Sequence, residues 1–492
     1  MRSHSIVPKY ARDILYFFSG TFIARLSGFI STVVMTRGLS SADFSIVALF
    51  LRLIEYILNF TRLGIGNAIQ VLIAKNVKDL DHLRYLTVAI LFQIFAISTL
   101  LIFYFFWNDL FKALVGQDEI NIFFPYLVFA VVMTSFTYVF DGALKGLGLF
   151  NNAATVVASS AIIELILIFL VIGTFGMNGV IIVFTLGRLF TLLIFSFFIY
   201  NYISKTNGLK LFSRLPSALS DSLKVGLPFA LVMVFQGAIG IYILNLLTNN
   251  APLEQVGYLR LIGAIGTLIV LIPNTVVPVF ISNAANISNE ESKKLTFFNN
   301  NIKFVFYISV ISILLIFPYL EFLTQVLFGY EYEILNNYFI LACCLPLATN
   351  IFNIVSSYFL ALKDMKWFSF IFFIWASASL AFGSILVPTY QLHGFIFTEM
   401  ISFSLAFLVG YTKINYVLSK TKVLFELFKI LTCLSLTLFI IVFLTNLDNF
   451  YIKLIISISS SISFIFYFYY FELSENLRFT ILDYLNFKKG SS

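Results

Sequence analysis

Residues 14–62 read ILYFFSGTFIARLSGFISTVVMTRGLSSADFSIVALFLRLIEYILNFTR. Two apolar runs, 14–36 and 44–67, flank a short polar turn from Arg37 to Asp43. Each has the roughly 20 residues that an α-helix needs to cross a bilayer. Each also holds cations: Arg25 in the first, Arg52 and Arg62 in the second. A cation at membrane depth costs at least about 2.5–3.5 kcal/mol on insertion scales, so it turns to a cavity or a partner rather than to lipid. This stretch reads as a pair of membrane-spanning helices built around something polar.

The pattern continues outward. Of the 492 residues, 60% are hydrophobic and 11% charged, with a mean hydropathy of +0.97. A soluble domain averages about 25% charged residues. The fold class is therefore an all-α polytopic membrane protein, and the long unalternating runs exclude a β-barrel. About fourteen spans are expected, near 14–36, 44–67, 86–107, 121–142, 153–173, 178–200, 226–248, 256–280, 302–327, 336–361, 367–387, 392–412, 424–446 and 451–471. The first is read as an uncleaved span, because the run is too long for a signal-peptide core.

Loop charge orients these spans. With a cytoplasmic N-terminus, Lys75, Lys78, Arg84, Lys145, Lys205, Lys210, Arg214, Lys224, Lys293, Lys294, Lys303, Lys363, Lys366, Lys413, Lys420, Lys422 and Lys429 fall on or beside inner connections, with Arg478, Lys488 and Lys489 in the tail. The outer connections hold Arg37, Lys112 and Lys453 and are otherwise acidic, with Asp109, Asp118, Glu119, Glu254, Glu331, Glu333 and Asp448. The alternation holds to the end, so both termini are expected in the cytoplasm. The net charge of +7 is then a topology signal and not a sign of nucleic-acid binding.

No connection is long enough for a soluble catalytic domain, and no Gly-x-x-x-x-Gly-Lys phosphate loop occurs. The protein is expected not to be an enzyme. Cys343, Cys344 and Cys433 lie in apolar segments, and His4, His82 and His393 are scattered. No metal or other cofactor is expected, and proton or sodium coupling stays open.

A faint internal repeat is present. Ala143-Leu144-Lys145 recurs as Ala361-Leu362-Lys363, Gly179 as Gly394, and Asn201-Tyr202 as Asn415-Tyr416. An even number of helices per repeat gives parallel halves related by an axis along the membrane normal. The expected organisation is an N-terminal lobe of six spans (1–205), a cytoplasmic linker (206–223), a C-terminal lobe of six spans (224–418), two further spans (419–475) and a cytoplasmic tail (476–492). Pro228, Pro273, Pro278 and Pro346 are candidate bending points or ordinary membrane-helix prolines.

The charges inside the spans carry the functional signal. Five are arginines (Arg25, Arg52, Arg62, Arg188 and Arg260), and the lysines within the stated limits, Lys303, Lys429 and Lys453, all sit within about five residues of a span end, although lysines outnumber arginines roughly two to one. Arginine stays charged and presents a planar fork that fits phosphate oxygens. Arg25 either meets a glutamate of another helix or binds a substrate anion. Arg52 and Glu55, three residues apart, can pair on one helix face. Arg62 either snorkels to the interface or joins the cavity. Glu164 and Arg188 are equidistant from the turn near Gly176, so antiparallel helices put them at one depth as an ion pair, with a protonation role for Glu164 as the other reading. Arg260 reaches the interface or the cavity. Glu399 has no local partner and is a coupling candidate. Gln236, Asn245, Asn350 and Asn353 are candidates for sugar contacts or helix–helix bonds.

Thr36-Arg37-Gly38-Leu39-Ser40-Ser41-Ala42-Asp43-Phe44, Ala143-Leu144-Lys145-Gly146-Leu147-Gly148, Val225-Gly226-Leu227-Pro228 and Val256-Gly257-Tyr258 carry a family resemblance, together with the hydropathy layout. The chain resembles the polysaccharide flippases of the multidrug/oligosaccharidyl-lipid/polysaccharide exporter superfamily, which export O-antigen or capsule units. The resemblance implies a V-shaped pair of six-helix lobes, alternating access, and an oligosaccharide on undecaprenyl diphosphate moved from the inner to the outer leaflet of a bacterial cytoplasmic membrane. It implies a diphosphate site at Arg25, Arg52 and Arg260, with Arg62 added as a cavity candidate. The implied partners are the lipid-linked oligosaccharide, membrane lipids and, downstream, a polymerase and a chain-length regulator. The protein is expected to act as a monomer. The competing readings are lipid II flipping, drug or cation antiport, and a polymerase or ligase. Antiport needs buried acids where this chain has arginines, and a polymerase needs a long outer loop.

Overall fold

A computed structural model describes residues 6–76, 83–106, 118–205, 215–270, 291–362, 364–418 and 450–467, with 436, 437, 440 and 444. The helices are α1 (Ile6–Gly38), α2 (Ser41–Arg62), α3 (Ile65–Asn76), α4 (Leu83–Phe106), α5 (Phe124–Gly146), α6 (Phe150–Lys205), α7 (Leu215–Asn250), α8 (Glu254–Ile269), α9 (Glu291–Ile316), α10 (Phe339–Ala361), α11 (Met365–Leu418) and α12 (Phe450–Tyr467), and no strand occurs among the described residues. Nine described helical segments are long and apolar enough to cross a membrane.

Two of the nine fold back on themselves. A straight α6 would hold Glu164 and Arg188 about 36 Å apart at 1.5 Å per residue. They stand 3.9 Å apart, because the chain reverses at Gly176 (φ 52°, ψ −138°), a left-handed conformation that glycine adopts without a Cβ clash. In α11 the reversal is at Gln391 (φ 51°, ψ −124°), which brings the Trp375 and Phe403 rings to 5.7 Å. Gln391 is held there by side-chain bonds: its Nε2 donates to the Asn250 carbonyl at 3.1 Å, and Gln255 Nε2 donates to its Oε1 at 2.6 Å. These bonds tie the reversal to the turn between α7 and α8.

The two halves repeat one packing scheme. The α6 hairpin lies along α1 and α5, and the α11 hairpin lies along α7 and α10. The segments Ala143-Leu144-Lys145 and Ala361-Leu362 close α5 and α10, so the weak sequence repeat falls on equivalent helices. The lobes meet where α2 packs on α7 and α8 and where α1 packs on α8. Along α7, a Cβ on Gly240 would lie 2.3 Å from the Tyr56 ring, and one on Gly237 would lie 2.9 Å from the Tyr56 carbonyl oxygen. Small residues there let two helices of different lobes approach closely.

The end expected to face outward is tied across the lobes as well. At the last turn of α1, Arg37 Nε donates to the Leu327 carbonyl at 3.0 Å, and its Nη2 donates to those of Gln325 (3.0 Å) and Val326 (2.6 Å). These carbonyls end a π-helical turn, Thr324–Phe328, and a guanidinium satisfies such orphan acceptors. The turn after Arg37 opens α2 through a cap in which Ser40 Oγ accepts from the Asp43 amide at 3.1 Å.

Two boundaries differ from the sequence expectation. The second span ends at Arg62 rather than 67, because Leu63 (φ 43°) and Gly64 (φ 63°) are both left-handed, which interrupts the i to i−4 ladder before α3. Residues 215–223, expected in the linker, are the first turns of α7. The eighth-span helix is described only to Ile269. Residues 271–280 with Pro273 and Pro278, most of the thirteenth span (424–446) with Cys433, linker residues 206–214, His4, His82, Trp107 (expected as an interface anchor at a span end) and tail 476–492 lie outside the described residues.

Candidate functional site

A cavity of about 300 Å³ opens between the lobes, lined by α1 (Arg25, Gly28, Phe29, Thr32), α2 (Ala48, Arg52, Glu55) and α8 (Val256, Leu259, Arg260, Gly263, Ala264, Thr267). In each helix the lining follows the three-and-four spacing of one helix face. Glu55 is the hinge of the charge arrangement. Its Oε2 lies 2.9 Å from Arg52 Nη1 and its Oε1 lies 3.9 Å from Arg260 Nη1, so one carboxylate of the first lobe faces a guanidinium from each lobe. Its side chain is 51% exposed, which leaves it free to move. Arg52 also rests over the Tyr56 ring at 5.1 Å. The Nε atoms of Arg52 and Arg260 are buried and have no hydrogen-bond partner among the described residues. Three guanidinium groups against one carboxylate give the cavity a formal charge of +2.

A second cavity of about 460 Å³ lies within the first lobe and shares Gly28, Glu55 and Arg260 with the first. Its walls come from α1, α2, α5 and both arms of α6. Glu164 and Arg188 face each other here across the α6 hairpin at 3.9 Å. Arg62 stacks over Tyr138 at 4.7 Å, and Tyr138 donates its hydroxyl to Asn67 Oδ1 at 3.1 Å. Asp141 pairs with Lys145 at 2.5 Å near the C-terminal end of α5.

All five arginines read from the sequence thus lie on two joined cavities. Arg62 lines the second cavity, over Tyr138 and at the break that ends α2. Glu55 and Glu164 join them. Glu399 does not line either cavity; it stands on α11 behind Arg52, whose charge it feels, beside the buried Trp375. Of the amides considered for sugar contacts, Asn350 is buried and donates to Ser309 Oγ at 3.4 Å, joining α10 to α9, and Asn245 accepts from Asn249 at 2.8 Å. Thr134, Thr137, Tyr138 and Asp141 are cavity residues that the sequence reading missed. Their spacing of three, four and seven residues makes one polar stripe on an otherwise apolar helix, and that stripe was the available signal.

Residues 10–280, more than half of the chain, match a family model described as polysaccharide biosynthesis protein. The chain belongs to the polysaccharide biosynthesis protein family. No curated protein matches this family member. Among solved structures it is similar to an inward-facing multidrug resistance MATE family transporter of the MOP superfamily (TM-score 0.63, 18% identity, covering 83% of this chain and 99% of that one). It is similar to a MOP superfamily transporter from Pyrococcus furiosus (TM-score 0.64, 18% identity, 84% and 95%). It is also similar to the lipid II flippase MurJ in an inward closed conformation (TM-score 0.67, 17% identity, 92% and 99%). The family member therefore has the MOP-superfamily transporter fold, and at these identities the likeness speaks for the fold alone.

Proposed function

We propose that this chain is a flippase for an undecaprenyl-diphosphate-linked oligosaccharide, carrying the repeat unit of an O-antigen or capsule from the inner to the outer leaflet of a bacterial cytoplasmic membrane. The observation that carries this reading is the interlobe cavity, where Arg25, Arg52 and Arg260 converge from three helices with a formal +2. A diphosphate carries about two negative charges and cannot enter hydrocarbon unaided. The three guanidinium groups would bind it by charge-assisted hydrogen bonds. Glu55 would release Arg52 and Arg260 as the diphosphate arrives and take them back as it leaves, which keeps binding reversible. The polyprenyl tail stays in the bilayer, passing through a side opening between the lobes. Alternating access then follows from the lobes rocking about the α2–α7 and α2–α8 contacts, with the Glu164–Arg188 pair neutralised throughout. Proton or sodium coupling through Glu399, membrane potential, or downstream consumption of the product would each supply direction. Both termini would lie in the cytoplasm, and the protein would act as a monomer that delivers to a polymerase and a chain-length regulator.

The test is mass spectrometry of undecaprenyl-linked intermediates in cells depleted of the protein. A completed repeat unit should accumulate, accessible only from the cytoplasmic face. Arg25→Ala and Arg52→Ala should each abolish surface polysaccharide while the protein still inserts. Unchanged lipid-linked pools would overturn the reading and point to antiport. Lipid II flipping is the second reading, because the same three arginines would hold the diphosphate of that lipid equally well. The chemical identity of the accumulated lipid decides between them.

A further inference from the structure

The two cavities differ in charge, and the difference assigns them different parts of one ligand. The interlobe cavity is cationic. In the first-lobe cavity, Arg62 and Arg188 are matched by Asp141 and Glu164, and the shared Arg260 and Glu55 also cancel. A balanced cavity does not select an anion or a cation, yet this one is strongly polar.

Four of its hydroxyls are set in one sense. Thr134 Oγ1 donates to the Ala130 carbonyl at 2.7 Å, Thr137 to that of Met133 at 2.9 Å, Ser160 to that of Val157 at 3.2 Å, and Thr191 to that of Gly187 at 2.8 Å. Each hydroxyl hydrogen is committed to its own helix, so what remains for a ligand is acceptor lone pairs. Asp141 adds a further acceptor: its Oδ2 is held by Lys145, while its Oδ1 is buried without a hydrogen-bond partner among the described residues. Arg62 supplies a donor, its buried Nε, which likewise has no such partner. A buried polar atom left unsatisfied is costly, and a ligand that satisfies these atoms recovers that cost. The complementary ligand is neutral, rich in O–H donors, and small enough for about 460 Å³, roughly the volume of fifteen liquid waters.

We propose that the first-lobe cavity is a saccharide subsite that takes the diphosphate-proximal neutral sugars through the acceptors of Thr134, Thr137, Ser160, Thr191 and Asp141, while the interlobe cavity takes the diphosphate. The proposal rests on the flippase reading and adds to it the location of glycan selection in one lobe, on residues distinct from the phosphate-binding arginines.

The experiment uses the purified full chain in lipid nanodiscs and two probes, undecaprenyl diphosphate and undecaprenyl diphosphate bearing a neutral disaccharide. Wild type should bind the glycosylated probe about tenfold more tightly. Thr137→Val combined with Ser160→Ala, and separately Asp141→Asn, should bring the glycosylated probe down to the affinity of the bare lipid and leave bare-lipid binding unchanged, which also shows that these variants are folded. Arg52→Ala should weaken both probes alike. If the hydroxyl variants weaken both probes equally, or neither, the subsite is wrong. If wild type binds bare lipid through Arg52 and the sugar adds nothing, the subsite fails while the flippase reading stands. If wild type binds neither probe, both fail.

Discussion

Replacing Glu55 with glutamine should tighten the hold on diphosphate and slow its release. The carboxylate sits 2.9 Å from Arg52 and 3.9 Å from Arg260, on the two guanidinium groups that an incoming diphosphate needs. It is a built-in competitor. Removing its charge raises the formal charge of the cavity from +2 to +3 without emptying space, since glutamine has the same shape. At about 4 Å, two unit charges interact by about 1 kcal/mol in bulk water and about 4 kcal/mol at an effective dielectric constant near 20. Because Glu55 is 51% exposed, the lower figure applies, and about 1 kcal/mol is roughly a fivefold change in Kd. Titration of nanodisc-embedded protein with undecaprenyl diphosphate reads this directly. The gain should shrink as salt rises, because screening at about 0.15 M ionic strength acts over about 8 Å. Tighter binding should coincide with less export in cells, since a site that holds the diphosphate too well returns to the inward state loaded. Unchanged or weaker binding in Glu55→Gln would refute the idea that Glu55 competes with the substrate for Arg52 and Arg260.

The Glu164–Arg188 pair should behave as a unit: Glu164→Gln alone should lower thermal stability and export, and Glu164→Gln with Arg188→Gln should restore much of both, because removing one partner leaves an uncompensated charge in a largely buried site. Equal damage in single and double variants, measured by thermal unfolding in detergent and by surface polysaccharide, would dismiss the pair. Arg37→Ala should loosen the end expected to face outward, since three hydrogen bonds from a charged donor disappear, each worth about 1.5–3 kcal/mol before water replaces it. A single cysteine placed at Gln325 should then react faster with an impermeant maleimide than in the parent chain, and an unchanged rate would mean that Arg37 does not hold the lobes together there.

Much of this protein was legible because membrane constraints are severe. Every backbone group in hydrocarbon must be bonded internally, so helices follow from composition, and a buried cation is too costly to be accidental. Hence Arg25, Arg52, Arg62, Arg188 and Arg260 could be singled out without a structure, and the equal distance of Glu164 and Arg188 from Gly176 could be turned into a contact. The polar stripe of α5 was also present in the sequence but weak, since threonine and tyrosine are tolerated anywhere in a membrane helix that can take their hydroxyls.

The fold class, the apolar helices and the residues with unusual charge are legible in local chemistry, because each follows from the cost of placing a side chain or a peptide group in lipid. Helix packing alone sets Glu55 between arginines of different lobes, turns Arg62 into a cavity at a helix break, keeps Glu399 apart from both cavities, and makes one cavity cationic while its neighbour is balanced. Those outcomes depend on which helices meet and on how closely glycines such as Gly237 and Gly240 let them approach. Such relations join residues hundreds of positions apart, and no local preference encodes them.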